Sequence, residues 1–121
     1  MLPTLEEFVA DFKKRPWNSY VKFPGFSDLY VRKGQVYING EWCYNTLTIA
    51  NVQASKPGTG AFSNLVKQIR SWGMGIHVEN ATAPKFDLKL KHLGFERCNV
   101  PRDPRHAALC IHFYLPEPEN K

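Results

Sequence analysis

The spacing of the apolar residues changes near residue 60, and this change limits the folds that the chain can adopt. Before it, residues 29–32, 36–38 and 42–52 are rich in β-branched and aromatic side chains, which is typical of strands. The pairs Lys33-Gly34 and Asn39-Gly40 separate the three segments, and Asn-Gly is a strong signal for a two-residue hairpin turn. These residues predict a three-stranded β-meander.

Beyond residue 60 the apolar residues recur at helical spacing. A helix is marked by Phe62, Leu65, Val66, Ile69 and Trp72, and it is closed by Gly73 and Gly75. Residues 76–79 then form a short strand with no hairpin turn before it, which favours a parallel crossover.

A second helix and two further strands complete the pattern. The helix is marked by Phe86, Leu90 and Leu93, with Thr82 as its N-cap, Pro84 in its first turn and Gly94 at its end. Residues 95–99 and 107–115 are the last two strands. We therefore expect an α/β (α+β) fold, in which helices flank a mixed sheet of about six strands.

The N-terminal residues predict one more helix. Thr4 and Glu7 have the spacing of a capping box, and an apolar stripe follows them (Leu5, Phe8, Val9, Phe12). Lys13, Lys14 and Arg15 would lie in the last turn before Pro16. We expect a single domain over residues 1–121, with a helix and loop at 1–26, a core at 27–115 and a polar tail at 116–121.

Charge and cysteine content narrow the class of protein. The 121 residues carry a net charge of +5, which fits a phosphate-bearing ligand or nucleic acid. No apolar run is long enough for a membrane helix, and Glu6 and Glu7 stand where a secretory signal would be basic. The three cysteines are irregularly spaced and predict free thiols in the cytoplasm. No C-x-x-C spacing supports a metal site at Cys98, Cys110 and His112.

The segment between the third strand and the following helix is the strongest candidate for a binding site. It consists of Ser55, Lys56, Pro57, Gly58, Thr59, Gly60 and Ala61. Two glycines before a helix allow several backbone N–H groups to point the same way, which suits a pyrophosphate. The segment lacks the Gly-Lys-Ser/Thr of a P-loop and the third glycine of a dinucleotide-binding fingerprint.

This loop, the order of the elements, Val78-Glu79-Asn80 and Leu93-Gly94-Phe95 together resemble the GCN5-related N-acetyltransferase (GNAT) superfamily. The resemblance covers residues 27–115 and implies that the loop binds the pyrophosphate of acetyl-coenzyme A (acetyl-CoA). It implies further that Asn80 lies near the pantetheine and that the cofactor runs along the splayed third and fourth strands. Backbone N–H groups of Ile49, Ala50 and Asn51 would then polarise the thioester carbonyl.

The sequence departs from the family at several functional positions. Ser55 stands where the family usually has Arg or Gln, and Leu90 stands where it often has a tyrosine that protonates the leaving thiolate. Residues 45–54 contain no carboxylate to serve as a general base, and residues 80–94 are longer than usual by about one helical turn. The family's first strand is not evident, so the fold is expected to be N-terminally reduced.

Four residues remain as candidates for acid–base chemistry. Glu41, Glu79 and His77 are nearest in sequence to the opening between the third and fourth strands, and Tyr114 is a candidate acid. Each also has an ordinary structural explanation. Glu41 would be a solvated charge beside a turn, His77 a hydrogen-bonded strand residue, and Tyr114 a packing residue.

The sequence thus predicts an acetyl-CoA-dependent N-acetyltransferase whose amine acceptor it does not define. One alternative is a GNAT-like protein without catalysis, similar to small phage-encoded proteins of which some are virion components, so that the location would be the host cytoplasm or the virion. Another is a small basic nucleic-acid binder that uses Lys85, Lys89, Lys91, Arg97, Arg102 and Arg105. No nucleic-acid-binding motif supports the last alternative, so we expect no nucleic-acid partner.

Overall fold

The computed structural model describes residues 2–14, 16–56, 58–79, 86–98 and 112–118. Three helices and eight strands lie within these ranges. The helices are α1 (Leu5–Ala10), α2 (Ala61–Ser71) and α3 (Phe86–His92). The strands are β1 (Asn18–Tyr20), β2 (Phe26–Arg32), β3 (Val36–Ile38), β4 (Glu41–Cys43), β5 (Thr46–Ala54), β6 (Gly75–Val78), β7 (Glu96–Cys98) and β8 (His112–Leu115).

Six of the strands form one mixed sheet, as the sequence predicts. Their order is β1-β2-β5-β6-β8-β7, and β5 and β6 are the parallel neighbours. Every other neighbouring pair is antiparallel. The helix α2 connects β5 to β6, so the predicted parallel crossover is confirmed.

The two faces of this sheet differ in character. One face carries Val31, Ile49, Ile76, Val78 and Phe113, which pack into the apolar core. Residues of all three helices belong to the same core, namely Leu5 and Phe8 of α1, Phe62, Leu65, Val66 and Ile69 of α2, and Leu90 of α3. Because side chains alternate along a strand, the residues between these apolar ones face the other side of the sheet.

The predicted meander is wrong in its pairing. The strands β3 and β4 form a separate two-stranded sheet, and β2 pairs directly with β5 from Phe26↔Ala54 to Arg32↔Thr48. The predicted strand 42–52 is accordingly divided at residues 44 and 45. Only the Asn39-Gly40 turn behaves as expected, with positive φ angles of 51° and 86°.

The N-terminal region differs from the prediction in two places. Residues 18–20, predicted as part of a loop, form the edge strand β1 against β2. The capping box of Thr4 and Glu7 is confirmed, but α1 ends at Ala10, before the basic residues predicted in its last turn. The backbone leaves the helical conformation at Asp11, with φ −123° and ψ 86°. Lys33 Nζ donates to the carbonyls of Phe8 and Asp11 at 2.8 and 3.0 Å and places a cation at this end of the helix.

The ends of α2 and α3 follow the sequence. Gly73 and Gly94 adopt left-handed φ angles of 78° and 97° directly after the two helices. The expected cap Thr82, Pro84 and the first part of the predicted strand 107–115 lie outside the described residues. Within the described ranges, no helix is long and apolar enough to cross a bilayer.

Candidate active site

The backbone of the loop between β5 and α2 is accessible at its two glycines. Gly58 and Gly60 both have left-handed φ angles, 85° and 81°, and a Cβ atom added to either would meet no atom within 4 Å. A ligand can therefore approach the backbone closely at both positions. Pro57, between them and Lys56, lies outside the described residues.

Hydrogen bonds hold both ends of this loop. The Ser55 N–H donates to the Gly25 carbonyl at 2.8 Å, and the Thr59 hydroxyl donates to the Lys56 carbonyl at 2.9 Å. Gly25 fits closely there, because a Cβ on it would lie 2.7 Å from the Ala61 side chain. The loop is thus fastened to the turn before β2.

The N-terminus of α2 behind the loop is suited to an anion. Its N-cap is Gly60, which has no side chain to accept a hydrogen bond from the first turn, and that turn contains no acidic residue. The positive end of the helix dipole and the N–H groups of the first turn thus face the loop without an internal counter-charge. The arrangement can bind a phosphate or pyrophosphate.

The described pairing of the parallel strands β5 and β6 ends before this loop begins. Their paired residues run from Thr46↔Gly75 to Ile49↔Val78, and the Glu79 N–H donates to the Ile49 carbonyl at 3.1 Å. From there β5 continues to Ala54 beside β2. The described ladder therefore ends at Ile49 on one side and Glu79 on the other, which is the place where the resemblance to the GNAT superfamily predicts an opening between the two strands.

A β-bulge lies on β5 at the same point. Val31 is opposite Ile49 and Tyr30 is opposite Asn51, so Ala50 is the extra residue. The bulge bends β5 where it leaves β6, and the predicted oxyanion-binding residues Ile49, Ala50 and Asn51 are grouped around it. Asn51 is exposed, and its side-chain amide donates to Asp28 Oδ2 at 2.7 Å.

Buried polar side chains lie on the sheet face opposite the apolar core. His77 Nδ1 lies 3.1 Å from the Thr48 hydroxyl, and His77 Nε2 lies 2.9 Å from His112 Nδ1. The two imidazole planes are within 13° of each other. The result is a hydrogen-bonded chain across β5, β6 and β8, in which His77 and His112 are 1% and 3% exposed.

Glu79 carries the negative charge of this region. Its Oε1 lies 2.6 Å from Arg32 Nη2, and its side chain is buried while that of Arg32 is 41% exposed. The ion pair explains how a carboxylate is accommodated in a buried position. It also fixes the carboxylate at the end of β6, beside the opening.

Tyr114 lies opposite His77 in the β6–β8 register, on the same face. Burial raises the pKa of its hydroxyl to about 12, and the neighbouring Cys43 thiol contributes to the rise. Burial likewise raises the pKa of the Cys98 thiol to about 12, again with a contribution from Cys43. The hairpin strand β4, which contains Cys43, therefore adjoins this polar face.

The structure thus brings together His77, Glu79 and Tyr114 from the predicted acid–base set. Glu41 is exposed at the start of β4 and is not part of the cluster. The predicted cofactor residue Asn80 lies outside the described residues, as does Cys110. The sequence analysis did not identify Thr48 or Arg32, nor the contact of His112 with His77. One signal was available, because His112 and Tyr114 are two residues apart and share a face of β8, as His77 and Glu79 share a face of the sheet.

Comparison with known protein-family models, with curated proteins and with solved structures finds no match for this chain.

Proposed function

We propose that this chain is an acetyl-CoA-dependent N-acetyltransferase in which an amine attacks the thioester directly. The observation that carries the proposal is the loop at residues 55–60. Both its glycines are left-handed and open, and it joins the N-terminus of α2 to a strand that continues beyond its described pairing with its parallel neighbour. This combination is what the resemblance to the GNAT superfamily implies for a pyrophosphate site with a pantetheine channel beside it.

The bulge in β5 supports the position proposed for the thioester. With the pyrophosphate at Gly58 and Gly60, the pantetheine would extend along β5 toward Ala50, where β6 has ended. Backbone N–H groups at a bulge are turned out of the regular ladder and can polarise a carbonyl without any particular side chain. This role does not depend on the family residues that the sequence lacks.

Two side chains are assigned to proton transfer. Glu79, at the end of β6, would take the proton of the acceptor amine through one water. Tyr114 would supply a proton to the departing thiolate, because a phenolic hydroxyl is protonated at neutral pH. In the balanced reaction the amine nitrogen forms the bond to the acyl carbon, the C–S bond breaks, and the thiolate leaves as free coenzyme A.

Leu90 cannot act as the acid that protonates the leaving thiolate. It stands where the resemblance would place a tyrosine, and it is fully buried in the apolar core. The acid therefore has to come from another element, and Tyr114 lies on the polar face beside His77.

Thermal unfolding with and without acetyl-CoA tests the binding step without knowledge of the acceptor. A ligand at about 100 times its dissociation constant stabilises the native state by roughly 2.7 kcal/mol, which corresponds to about 10 °C for a domain of this size. Adenosine 3′,5′-bisphosphate should give part of this shift, and acetate none. The absence of a shift at millimolar coenzyme A would contradict the proposal.

A pair of matched variants assigns the binding to the loop. Gly60→Glu adds a negative charge where the pyrophosphate would lie, and it should abolish the shift. Gly34→Glu introduces the same side chain at another left-handed glycine with open space, with a φ angle of 116°. Both variants place a side chain at a positive φ angle, but Gly34→Glu lies outside the loop and should bind coenzyme A normally.

Transfer to a panel of amines then separates the enzyme from the alternatives. Acetylation of an amine acceptor that is lost in Tyr114→Phe supports the assignment of the acid. Binding of acetyl-CoA without transfer to any polyamine, peptide or aminoglycoside favours the non-catalytic GNAT-like alternative. Tight DNA binding that survives 200 mM salt would favour the nucleic-acid binder, since charge alone gives only about 10⁻⁴ to 10⁻⁶ M.

A further inference from the structure

We propose that His77, Glu79 and His112 form a binding site for one divalent transition-metal ion of the zinc class. Each residue offers one ligand atom, and the three atoms lie within 4.8 Å of one another. All three residues are buried. The proposal goes beyond the proposed acetyl transfer and does not rest on it, because the loop that would bind coenzyme A contributes no ligand.

The sheet itself brings the three ligands together. His77 and Glu79 are two residues apart at the end of β6, so both face the same side. His77 is opposite Tyr114 on the antiparallel strand β8, and continuing this register places His112 opposite Glu79. A shared face at a fixed strand spacing is a rigid support for a metal site.

The distance between the two imidazole nitrogens is close to that of a metal-bound state. Two ligands of one tetrahedral zinc ion lie about 3.3 Å apart when each bond is about 2.0 Å long. The facing nitrogens of His77 and His112 are 2.9 Å apart and share one hydrogen. The ion would replace this hydrogen after the nitrogens separate by a few tenths of an ångström, and the Glu79 carboxylate would approach by a turn of its side chain.

Neighbouring residues would orient the ligands in the way that metal sites require. Thr48 Oγ1 lies 3.1 Å from His77 Nδ1, which fixes the ring so that Nε2 faces the site. Arg32 binds Oε1 of Glu79, which leaves the other carboxylate oxygen for the ion. The half-exposed guanidinium of Arg32 can turn toward solvent when a cation arrives.

The ligand set indicates the class of ion. Two imidazoles and one carboxylate suit zinc, iron(II), cobalt(II) and nickel(II), and three protein ligands leave coordination positions for water. A bound ion would occupy the Glu79 carboxylate. Acetyl transfer with Glu79 as base therefore belongs to the metal-free protein, and the ion should inhibit it.

Titration of the chelator-treated full chain with Zn²⁺ by calorimetry, and with Co²⁺ by visible absorption, tests the site. One equivalent should bind, and the cobalt spectrum should lack a sulfur-to-metal charge-transfer band. Glu79→Gln and His112→Gln should each weaken binding more than about tenfold. His92→Gln changes an exposed histidine at the end of α3 and should have no effect.

The orientation by Thr48 has its own pair of variants. Thr48→Val removes the hydroxyl at nearly constant volume and should weaken metal binding about 10- to 100-fold, whereas Thr48→Ser keeps the hydroxyl and should restore it. If the ligand variants fail to fold, NMR spectroscopy of the wild-type protein still tests the metal site. Addition of Zn²⁺ should then shift the imidazole ¹⁵N resonances of His77 and His112 and leave those of His92 unchanged.

Three results would overturn the metal site. These are no saturable binding of either ion to the folded chain, unchanged affinity in His112→Gln, and a charge-transfer band that disappears in Cys43→Ser. Each is independent of coenzyme A. A failure of the Gly60→Glu test would contradict the acetyltransferase proposal and leave the metal titration unaffected.

Discussion

Lys33 donates two hydrogen bonds to the C-terminal end of α1, and its replacement by methionine gives the sharpest test of how the N-terminal helix is held. The side chain is only 8% exposed. Its Nζ donates to the carbonyls of Phe8 and Asp11 at 2.8 and 3.0 Å and lies 4.4 Å from the centroid of the Phe8 ring. Lys33→Met keeps the aliphatic part of the side chain and removes only the ammonium group.

The expected loss follows from these contacts. Leaving a buried carbonyl without its donor costs about 1–3 kcal/mol, and the cation–π contact contributes about 0.5–2 kcal/mol. Methionine avoids the desolvation of the ammonium group, which offsets part of the loss. We therefore expect Lys33→Met to lower the free energy of unfolding by about 2 kcal/mol, or the melting temperature by roughly 6–12 °C.

Urea unfolding at pH 7, followed by tryptophan fluorescence, measures this difference. The control is Lys13→Met, which changes an exposed lysine just after the same helix and should stay within about 0.5 kcal/mol of wild type. Equal stability of Lys33→Met and Lys13→Met would refute the proposed role of Lys33 in holding α1.

The pH dependence gives a second check on Lys33. Burial lowers the pKa of Lys33 below 10.5, so the unfolded chain binds more protons than the native state between the two values. The stability of wild type relative to Lys33→Met should therefore rise as the pH increases through this interval. A constant difference would show that the ammonium group is not desolvated in the native protein.

Three further predictions concern individual titrating groups. The raised pKa of Tyr114 lets the native state keep a proton that the unfolded chain loses. The stability of wild type relative to Tyr114→Phe should therefore fall between pH 10 and about 12 in urea titrations. Parallel plots of stability against pH for the two proteins would contradict this. Hydrogen bonds from the backbone N–H and the hydroxyl of Thr4 lower the pKa of Glu7 below 4.5, so the stability advantage over Glu7→Gln should be complete above pH 4.5 and shrink as the pH falls through the lowered value. An advantage independent of pH would show that the Glu7 carboxylate does not accept these hydrogen bonds in solution. The pKa of about 12 should keep Cys98 unmodified by iodoacetamide at pH 8, as checked by peptide mass mapping, and rapid alkylation of the native protein would show that the thiol is not buried.

The parts of the fold that were predictable are those with a strong local pattern. The stripe from Phe62 to Trp72 and the left-handed glycines at 73 and 94 define helices through neighbouring residues alone. The parallel pairing of β5 and β6 follows because no hairpin turn connects them and a helix does. These features need no knowledge of distant contacts.

The pairing of β2 was not predictable in the same way. Residues 29–52 contain turn signals that would equally fit three consecutive hairpin-linked strands. The outcome depends on the pairing of β2 with β5, which extends along the whole of β2 and leaves β3 and β4 to pair with each other. Trp42 contacts Tyr37 across that hairpin, with ring centroids 5.1 Å apart, so an aromatic pair stabilises the β3–β4 hairpin.

The sequence predicted which side chains of a single strand share a face at the candidate site, but not which strands are neighbours there. Alternation places His77 and Glu79 on the same side of the sheet. The expectation of a site between the third and fourth predicted strands comes from the resemblance to the GNAT superfamily. The partner strand is the missing information, because β8 lies between β6 and β7 and no local signal in residues 112–115 identifies that neighbour. The His77–His112 contact and the Arg32–Glu79 ion pair both depend on such long-range pairing.

The buried polar face of the sheet requires an explanation other than stability. The apolar face, packed against three helices, already supplies a core, and exchanging a buried ion pair for apolar residues of similar volume is often neutral or stabilising. Thr48, His77 and His112 instead form one hydrogen-bonded chain, and Glu79 is paired with Arg32, so removal of any single member is expected to lower the stability. The network lies at the end of β6, next to the β-bulge in β5. Clusters of buried titratable groups are typical of sites of proton transfer or metal binding, so this end of the sheet is where the chemistry of the protein should be sought.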